Sequence, residues 1–461
     1  MTTLSLQDLL AATGGKLVAQ GSRAITAGLT TDSRAVAEGS LFLALRGESF
    51  DGNSFAAAAS QQGAAAVVVS RVEGDFASEC SVVQVEDTLH ALQQLALWWR
   101  GQLAPLHVVG ITGSSGKTSV KDMTRAVLAT RFSTTATKGN LNNHIGVPLS
   151  ILSTEQGTQA AVWEMGMNHA GELAPLCALT QPRLGIISHI GSAHIGLLGS
   201  RDAIAREKCT VARCLPSEGW MIYPAADDYA EMIAAQTPAQ PLPVGAPDSS
   251  VRASDVQMTP QGSEYTLIIE GLGSTQVSLP VPGAHMVSNS LLAAAAGWKL
   301  GCSLRQIAEG LSSISLTKGR LACREEHGYT IIDDTYNANP ESMRAALRTV
   351  AEMRGHKRHI AVLGKMGELG EAGEAAHADV GWFAASQGYA AVIVVGEECP
   401  ETLALCHAAA ESVPALLVST PAEAAATLRQ LAEPGDALLF KGSRSAGIER
   451  VIAEFTTSLS S

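Results

Sequence analysis

A short glycine-rich segment carries the clearest chemical signal in this 461-residue sequence. It reads Gly113-Ser114-Ser115-Gly116-Lys117-Thr118 and lies between an apolar run predicted to be a strand, 106–111, and a predicted helix, 117–129. The backbone amides of such a loop, together with the amino end of the helix, bind phosphate oxygens. Lys117 is expected to contact the terminal phosphates, and the Thr118 hydroxyl is expected to ligate Mg²⁺. The sequence therefore predicts a site for ATP and magnesium.

This phosphate loop departs from the commonest type. The usual loop has a glycine, four residues and then Gly-Lys-Thr, and the position of that first glycine is Ile111 here. The shorter Gly-x-x-Gly-Lys-Thr form argues against a GTPase or a motor ATPase and favours another class of ATP-binding protein. The alternative is a glycine turn that merely joins a strand to a helix, and a lysine and a threonine at this spacing argue against it.

Two further polar residues stand where neighbouring strands are predicted to end. Glu164 follows the apolar run 160–163, and His194 comes after the run 184–188. Ligands of parallel sheets bind beyond the carboxyl ends of the strands, where a carboxylate or an imidazole can approach Mg²⁺. Taken singly, each residue is better explained as an ordinary polar group of the surface or core. Together with the loop, both are predicted metal ligands.

The composition is that of a globular α/β protein. Hydrophobic residues make up 46% of the sequence, charged residues 16% and aromatic residues 4%, which suits helices packed tightly on sheets. The net charge of −12 opposes binding to nucleic acid or to anionic membranes, and no apolar run is long enough to span a bilayer.

Cysteine usage and the first residues concern the compartment. The eight cysteines include no Cys-x-x-Cys pair, which suits free thiols in a reducing cytosol. The N-terminal segment has no basic stretch followed by an apolar run, so no signal peptide is predicted. We therefore expect a soluble, cytoplasmic protein without a nucleic-acid partner and without membrane insertion.

The pattern of apolar runs and turn residues along the sequence predicts three domains, at residues 1–86, 87–318 and 319–461. Short apolar strands separated by helices, one of them at 88–102, indicate mainly parallel sheets covered on both faces. Residues 250–280 alternate and favour antiparallel strands. The predicted fold class is α/β, with a small α/β domain, a central parallel-sheet phosphate-loop ATPase domain and a C-terminal Rossmann-like α/β domain. Beyond the run at 106–111, the main strands are expected at 160–163, 184–188, 220–223, 330–332, 360–363, 391–395, 415–418 and 437–440.

Several segments resemble the Mur ligases, the ATP-dependent amide ligases of bacterial cell-wall precursor synthesis, and the resemblance runs nearly end to end. The segments are Thr31-Asp32-Ser33-Arg34, 112–119, Trp163-Glu164-Met165-Gly166, Ser192-Ala193-His194, 205–208, Gly283-Ala284-His285 with Asn289, Gly319-Arg320-Leu321 and 333–340. Ala225 stands where the family usually has Asn. Met286 replaces a frequent Asn, so only Asn289 is transferred from its segment.

The resemblance implies roles at the ATP site. Nucleotide contacts are implied for Thr112, Gly113, Ser114, Ser115, Gly116, Lys117, Thr118, Ser119, Asn289, Arg320 and Asp334. Asn289 would contact adenine and Asp334 the ribose. Magnesium would be held by Thr118, Glu164, His194 and Lys208, the last as a carbamate formed with CO₂. Lys117, Lys208, His194 and Arg320 are the expected catalytic residues. Without the family, Lys208 would be interpreted as a solvated helix residue.

The resemblance also implies the substrates. The UDP-type N-terminal domain and four segments, at 139–148, 333–339, 363–370 and 439–445, favour the member that joins D-alanyl-D-alanine to UDP-N-acetylmuramoyl-tripeptide. Substrate contacts are implied for Thr31, Asp32, Ser33, Arg34, Arg46, Asn140, Asn142, Asn143, Tyr336, Asn337, Asn339, Lys441, Ser443 and Arg444. Lys441 and Arg444 are the first candidates for the dipeptide carboxylate. The third residue of the tripeptide, diaminopimelate or lysine, stays open, and a monomer is expected.

Three alternatives accompany this interpretation. One is the neighbouring ligase that adds the third amino acid, and another is a folylpolyglutamate synthetase, which should lack the UDP-type N-terminal domain. The third is a regulatory phosphate-loop ATPase without ligase activity, against which 31–34 and Lys208 argue because a switch needs neither. Since the implied ATP site draws on the second and third predicted domains, closure of the C-terminal domain is expected to complete it.

Overall fold

The computed structural model describes residues 4–47, 49–259 and 262–459. The first three residues of the N-terminal segment and residues 260–261 of the predicted antiparallel region lie outside it. The contacts divide the chain into two compact units, the first formed by Met1–Val108, Ser133–Met165 and Pro175–Pro182, the second by Val109–Phe132, Gly166–Ala174 and Arg183–Ser461. The three predicted domain boundaries stay a prediction. None of the helices in the described ranges is both long and apolar enough to cross a membrane.

The chain begins with a small α/β layer in the first unit. Its elements are α1 (Leu6–Thr13), β1 (Lys16–Ala19), β2 (Leu29–Thr30), β3 (Leu41–Leu43), α2 (Asn53–Gln61), β4 (Ala66–Val69), β5 (Ser81–Gln84) and α3 (Thr88–Gln102). The strands form one sheet in the order β1-β5-β4-β3-β2, in which only β1 is antiparallel to its neighbour. Val67, Val69 and Val82 are buried against alanines of α2, so the apolar runs of this region form the core of the layer.

The central part of the chain supplies the phosphate loop and the strands beside it. Its strands are β6 (His107–Thr112), β7 (Thr134–Ala136), β8 (Ala160–Glu164), β9 (Leu184–Ile187), β10 (Trp220–Pro224), β11 (Gln240–Val244), β12 (Val251–Thr259), β13 (Gly262–Ile269) and β14 (Gly273–Leu279). Its helices are α4 (Lys117–Ala129), α5 (Gly146–Leu152), α6 (Leu173–Thr180), α7 (Ile195–Leu198), α8 (Arg201–Arg213), α9 (Ala230–Gln236), α10 (Ala284–Lys299) and α11 (Leu304–Ser312).

These strands pair within each unit. In the second unit β11, β10, β9 and β6 are parallel neighbours in that order. In the first unit β7 and β8 are parallel partners. Strands β12, β13 and β14 form an antiparallel sheet, which confirms the prediction for residues 250–280. The loop between β6 and α4 therefore follows a parallel strand, as the prediction of a phosphate loop requires.

The C-terminal part of the second unit is a second parallel layer. Its elements are β15 (Ala322–Glu326), β16 (Tyr329–Asp334), α12 (Pro340–Glu352), β17 (His359–Gly364), α13 (Gly373–Ser386), β18 (Ala391–Val395), α14 (Pro400–Ala410), β19 (Ala415–Val418), α15 (Pro421–Leu431), β20 (Ala437–Lys441) and α16 (Glu449–Leu459). The strand order is β15-β16-β20-β17-β18-β19, and only β15 is antiparallel to its neighbour. Ile331, Val362, Ile393 and Phe440 lie in its buried core.

The predicted α/β class is confirmed, and the predicted limits of the strands and helices differ from the observed ones by at most two residues. The strand predicted at 330–332 extends to Asp334, because Asp333 and Asp334 still pair with Phe440 and Lys441 of β20. A strand end with polar side chains is not part of an apolar run, so the sequence pattern does not predict it, although the backbone continues in the sheet. The helices predicted at 88–102 and 117–129 are α3 and α4 with the same limits.

One buried histidine fixes the loop that follows β17. His377 is fully buried, its Nε2 accepts a hydrogen bond from the Met366 amide at 2.8 Å, and its Nδ1 lies 2.7 Å from the Gly373 carbonyl oxygen. Because an amide can only donate, Nε2 carries no proton and Nδ1–H donates to Gly373. Burial lowers the pKa of His377 below 6.5.

We therefore predict that His377 stays neutral, with its proton on Nδ1, down to below pH 6.5. An unfolded histidine gains a proton as the pH falls through about 6.5, so the stabilisation is complete above that pH and declines below it, by at most about 1.4 kcal/mol per pH unit. Imidazole ¹⁵N NMR spectra, assigned with a His377→Asn variant, measure both the tautomer and its titration. A charged ring at pH 6.5, or a proton on Nε2, contradicts this prediction.

Candidate active site

The phosphate loop in the second unit depends on two glycines. Gly113 has φ 152°, and a Cβ there would lie 2.0 Å from Ser188 Oγ. Gly116 has φ 79°, and a Cβ there would approach Asn289 Oδ1 to 2.9 Å. A side chain at either position would therefore collide or strain the backbone. Lys117 opens α4 and donates from Nζ to the Gly113 carbonyl oxygen at 2.7 Å, so its ammonium lies over the loop.

Residues 188–191, which follow β9, support this loop. No sequence motif predicts this supporting role. Ser188 donates from Oγ to Ser115 O at 2.5 Å, Ser114 N donates to His189 O at 2.7 Å, and Ser114 Oγ donates to Gly191 O at 3.2 Å. Their position in the sequence could have indicated this role. Residues that follow a parallel strand beside β6 must lie next to the loop. Thr112 and Ser119, both predicted to contact the nucleotide, are buried at the two ends of this region.

The structure brings Arg320 to the loop from the start of the C-terminal layer. Its guanidinium nitrogen donates to Thr118 Oγ1 at 3.0 Å, and the guanidinium lies 4.3 Å from the centre of the Tyr336 ring. The Gly319 carbonyl oxygen accepts from Tyr336 N at 3.1 Å, which keeps the ring beside the arginine. A permanent positive charge thus stands next to the hydroxyl predicted to ligate magnesium.

Asp334 and Lys441, at the ends of adjacent strands, form an ion pair in which the lysine is buried and the aspartate is 15% exposed. Lys441 Nζ donates to Asp334 Oδ2 at 2.6 Å and to Asn337 O at 3.0 Å, and the Lys441 side chain is 2% exposed. Burial raises the pKa of Asp334 above 3.8, and the charge on Lys441 opposes that rise. Lys441 was expected beside the dipeptide carboxylate. Its ammonium is bound to Asp334 and to the Asn337 carbonyl oxygen, and its contact with the dipeptide stays a prediction.

The amino end of α12 also touches the loop region. Asn339 accepts from Ser342 N at 2.9 Å, which caps the helix, and donates from Nδ2 to Ser114 O at 3.3 Å. Glu341 accepts from Ser192 N at 2.8 Å and from its hydroxyl at 3.1 Å. Asn339 was a predicted substrate contact, whereas Glu341 was missed because its partner is 149 residues away.

His194 and Lys208 occupy shielded positions in the second unit. His194 has φ 67°, its side chain is 16% exposed, and its Nδ1 lies 2.5 Å from Glu368 Oε2. Lys208 in α8 is 1% exposed. Burial and, to a lesser extent, the charge on Lys117 lower its pKa well below 10.5, and Glu207 opposes the shift. Lys208 is therefore not the solvated helix residue of the alternative interpretation.

The remaining predicted metal ligand, Glu164, lies in the first unit at the end of β8. It is 2% exposed, its amide donates to Thr137 Oγ1 at 2.9 Å, and its Oε1 accepts from Asn142 Nδ2 at 2.8 Å. Asn143 Oδ1 accepts from Gly146 N at 2.8 Å at the start of α5. Asn142 and Asn143 thus organise the segment around the carboxylate, and Asn140 is exposed.

The first unit also contains a cleft beside the Thr-Asp-Ser-Arg segment. Its volume is about 260 Å³, and its lining residues are Leu29, Thr30, Thr31, Asp32, Lys138, Leu141, Leu149, Ser150 and Ser153. Asp32 caps the 3₁₀ turn Ser33–Ala35 and forms an ion pair with Arg34 at 2.8 Å, and the hydrogen bonds from Arg34 lower the pKa of Asp32 to about 2.

Three predicted cations stay exposed, namely Arg34, Arg46 and Arg444. Arg46 forms a backbone bridge with Asp51, and Arg444 opens the 3₁₀ turn Arg444–Ala446. Ser443, buried beside it, donates from its amide to Lys365 O at 3.0 Å. An exposed guanidinium is free to meet an anionic substrate, so the contrast with buried Lys441 favours Arg444 among the dipeptide candidates.

The residues of the second unit fit a magnesium ion that is held mainly by phosphate. Among the described residues there is no group of three or more His, Cys, Asp or Glu side chains that could hold a metal ion. Mg²⁺ is usually bound by a few protein groups together with substrate phosphates rather than by a protein cage. A helix-terminal hydroxyl on Thr118, an imidazole on His194 and a buried amine on Lys208 are compatible with that arrangement.

The comparisons with known proteins agree over nearly the whole chain. The models "Mur ligase family, catalytic domain", "Mur ligase middle domain" and "Mur ligase, glutamate ligase domain" match residues 26–99, 111–297 and 319–444. The chain is 35% identical over 457 residues to the UDP-N-acetylmuramoyl-tripeptide–D-alanyl-D-alanine ligase of Escherichia coli (strain K12), covering 98% of each chain.

Solved structures give the same result. A crystal structure of MurF from Acinetobacter baumannii is similar with a TM-score of 0.90 and 34% identity, covering 99% of this chain and 100% of that one. The MurF ligase from Thermotoga maritima in complex with ADP is similar with a TM-score of 0.82 and 27% identity, covering 95% and 98%. On this full-length similarity, and with the three family models in the expected order, the chain belongs to the Mur ligase family.

Proposed function

We propose that this chain is an ATP-dependent ligase that joins D-alanyl-D-alanine to UDP-N-acetylmuramoyl-tripeptide and releases ADP and phosphate. The observation that carries the proposal is the meeting of Arg320 and Asn339 with Thr118 and Ser114 of the phosphate loop. A regulatory ATPase needs no such second set of residues. The E. coli relative that is similar over 98% of its length bears the name of this reaction, and the T. maritima relative was solved with ADP.

The chemistry follows from the inertness of a carboxylate. One oxygen of the tripeptide's terminal carboxylate attacks the γ-phosphorus of ATP, the bond to the bridging oxygen breaks, and ADP leaves with an acyl phosphate remaining. The amine of D-alanyl-D-alanine then attacks the acyl carbon, loses a proton and expels inorganic phosphate. Both steps require the reactants to be held in position rather than a protein nucleophile.

Repulsion between the carboxylate and the triphosphate is the main obstacle to the first step. Lys117 contacts the loop at Gly113, and Arg320 contacts Thr118, so two cations stand where the phosphates would bind. Preorganised charges of this kind stabilise a transition state without reorganising during the reaction. When bound, magnesium supplies further positive charge to the phosphate oxygens, and Thr118, Glu164, His194 and Lys208 are its proposed ligands.

Lys208 is proposed to act as a carbamate. A buried ammonium beside Lys117 is unfavourable. The lowered pKa of Lys208 therefore favours the neutral amine over the ammonium. The neutral amine adds to CO₂, a bond forms between nitrogen and carbon, and a proton leaves. The product is an anion whose oxygens suit magnesium far better than an ammonium does.

The substrates are assigned to separate regions of the chain. The cleft beside Thr31, Asp32 and Lys138 offers apolar walls and polar groups for the UDP portion. Asn289 lies against Gly116, which suits its proposed contact with adenine. Lys441 and Arg444 are the candidates for the dipeptide carboxylate, and Arg444 is the exposed one of the two. We place the reaction in the cytoplasm, where ATP is available and where cysteines without disulfides stay reduced.

The direct test is phosphate release with ATP and UDP-N-acetylmuramoyl-tripeptide as substrates. Release is expected to require D-alanyl-D-alanine and to be absent with free amino acids, and product mass spectrometry should show the pentapeptide. Lys117→Ala should lower turnover by at least about 100-fold, because it removes a charge from the phosphates, with an unchanged melting temperature. If phosphate is released only when a free diamino acid is supplied in place of the dipeptide, the chain is the neighbouring ligase instead.

The carbamate makes a separate prediction. Lys208→Ala should lose most activity, and short carboxylic acids such as acetate or propionate should restore part of it by supplying the missing carboxylate oxygens. Lys299→Ala, a lysine between Trp298 and Trp220 outside the proposed site, is the control and should not respond to the acids. Full activity of Lys208→Ala without added acid would exclude a role for the carbamate.

A further inference from the structure

His194 is held by a carboxylate from a distant segment. Its Nδ1 lies 2.5 Å from Glu368 Oε2, and the two side chains are 16% and 49% exposed. Glu368 follows β17 in the C-terminal layer, whereas His194 follows β9 in the central part of the same unit. Nδ1 has no aligned hydrogen-bond partner among the described residues, so the carboxylate holds it by close contact alone, and Nε2 is the ring nitrogen that remains for a metal ion. A histidine ligand whose second nitrogen is bound by a carboxylate is a common arrangement at metal sites.

The backbone shows that this contact is built into the fold. His194 has φ 67° and Glu368 has φ 62°, so both are non-glycine residues in the left-handed region. Each such residue costs of order 1–3 kcal/mol and persists only where the surrounding structure imposes it. An ordinary exposed ion pair, worth about 0–1 kcal/mol, requires no strained backbone on both sides. The paired strain therefore points to a function of the contact.

The two segments also meet through their main chains. Gly196 N donates to the Glu368 carbonyl oxygen at 3.0 Å. A Cβ on Gly196 would lie 2.5 Å from Gly370 N, so the approach is possible only because glycine stands there. The position of the Glu368 side chain relative to the His194 ring is therefore set by backbone contacts on both sides of the pair.

The far side of the Glu368 loop is fixed as well. His377 accepts the hydrogen bond of the Met366 amide at 2.8 Å, and Ser443 N donates to Lys365 O at 3.0 Å. No hydrogen bond or ion pair joins His377 or Ser443 to His194 among the described residues, so these two residues support the loop independently of the histidine. A rigid loop can hold an imidazole in one orientation, which a mobile surface glutamate cannot.

We propose that Glu368 is a positioning residue that holds His194 Nδ1 and thereby presents Nε2 to the proposed magnesium ion. The inference rests on the proposed function, because it takes His194 to be a metal ligand. It adds a consequence for the reaction cycle. Since Glu368 comes from the C-terminal layer, His194 reaches its binding orientation only when that layer is docked on the central part.

The experiment measures Mn²⁺ binding to the full-length protein with ADP present, by the EPR signal of free Mn²⁺. Glu368→Ala should weaken the binding of the ion at His194 by about 10- to 100-fold, the usual effect of removing a carboxylate behind a histidine ligand. Glu368→Gln keeps an acceptor for Nδ1–H and should recover most of that loss. Glu371→Ala, which removes an exposed glutamate three positions further on, is the matched control and should bind like the wild type.

His194→Ala separates the two levels of the proposal. The nitrogen coupling of the histidine ring to bound Mn²⁺, seen by pulsed EPR, should be present in the wild type and in Glu371→Ala, and absent in His194→Ala. If His194→Ala changes neither the affinity nor the coupling, the metal-ligand assignment fails. If His194→Ala has both effects while Glu368→Ala binds Mn²⁺ like Glu371→Ala, the ligand assignment stands and the positioning role of Glu368 is overturned. Circular dichroism confirms that each variant is folded.

Discussion

A carboxylate and the γ-phosphate of ATP repel each other, and we propose that cations from distant parts of the sequence oppose this repulsion. Two unit charges about 4 Å apart interact by about 4 kcal/mol near a protein surface, which is enough to change a rate by about a thousandfold. Lys117 belongs to the loop itself, whereas Arg320 reaches Thr118 across 202 residues of sequence. The positive charge at the loop therefore includes a residue from the start of the C-terminal layer.

The same requirement explains where the polar residues lie. Ser188, Asp334, Glu368 and Lys441 stand at or just beyond the carboxyl ends of parallel strands, where chain turns converge and ligands bind. Glycine allows the segments to approach, as at Gly113 against Ser188. The strained backbones of His194 and Glu368 belong to this edge too. Apolar strands behind it supply the stability that such an arrangement costs.

The sequence predicts the parts of the molecule that depend on local order. The loop at 113–118 and α4 follow from glycines, a lysine and helical spacing, and the core strands follow from their apolar runs. The contacts of Lys441 and Glu368 could not be predicted in this way, because each depends on a partner more than 100 residues away. Lys441 is an example, since the sequence offers it as a candidate for the dipeptide and only the structure shows its ion pair with Asp334.

The rate of ADP formation in a single turnover, with ATP and UDP-N-acetylmuramoyl-tripeptide mixed without the dipeptide, tests the role of Arg320 most directly. The wild type should form ADP in a rapid burst close to one equivalent of enzyme, as the acyl phosphate accumulates. Arg320→Ala should bind the nucleotide but lose the burst, whereas Arg344→Ala, which removes an arginine of α12 paired with Asp379 of α13, should keep it. A burst of wild-type rate and size in Arg320→Ala would contradict the central claim.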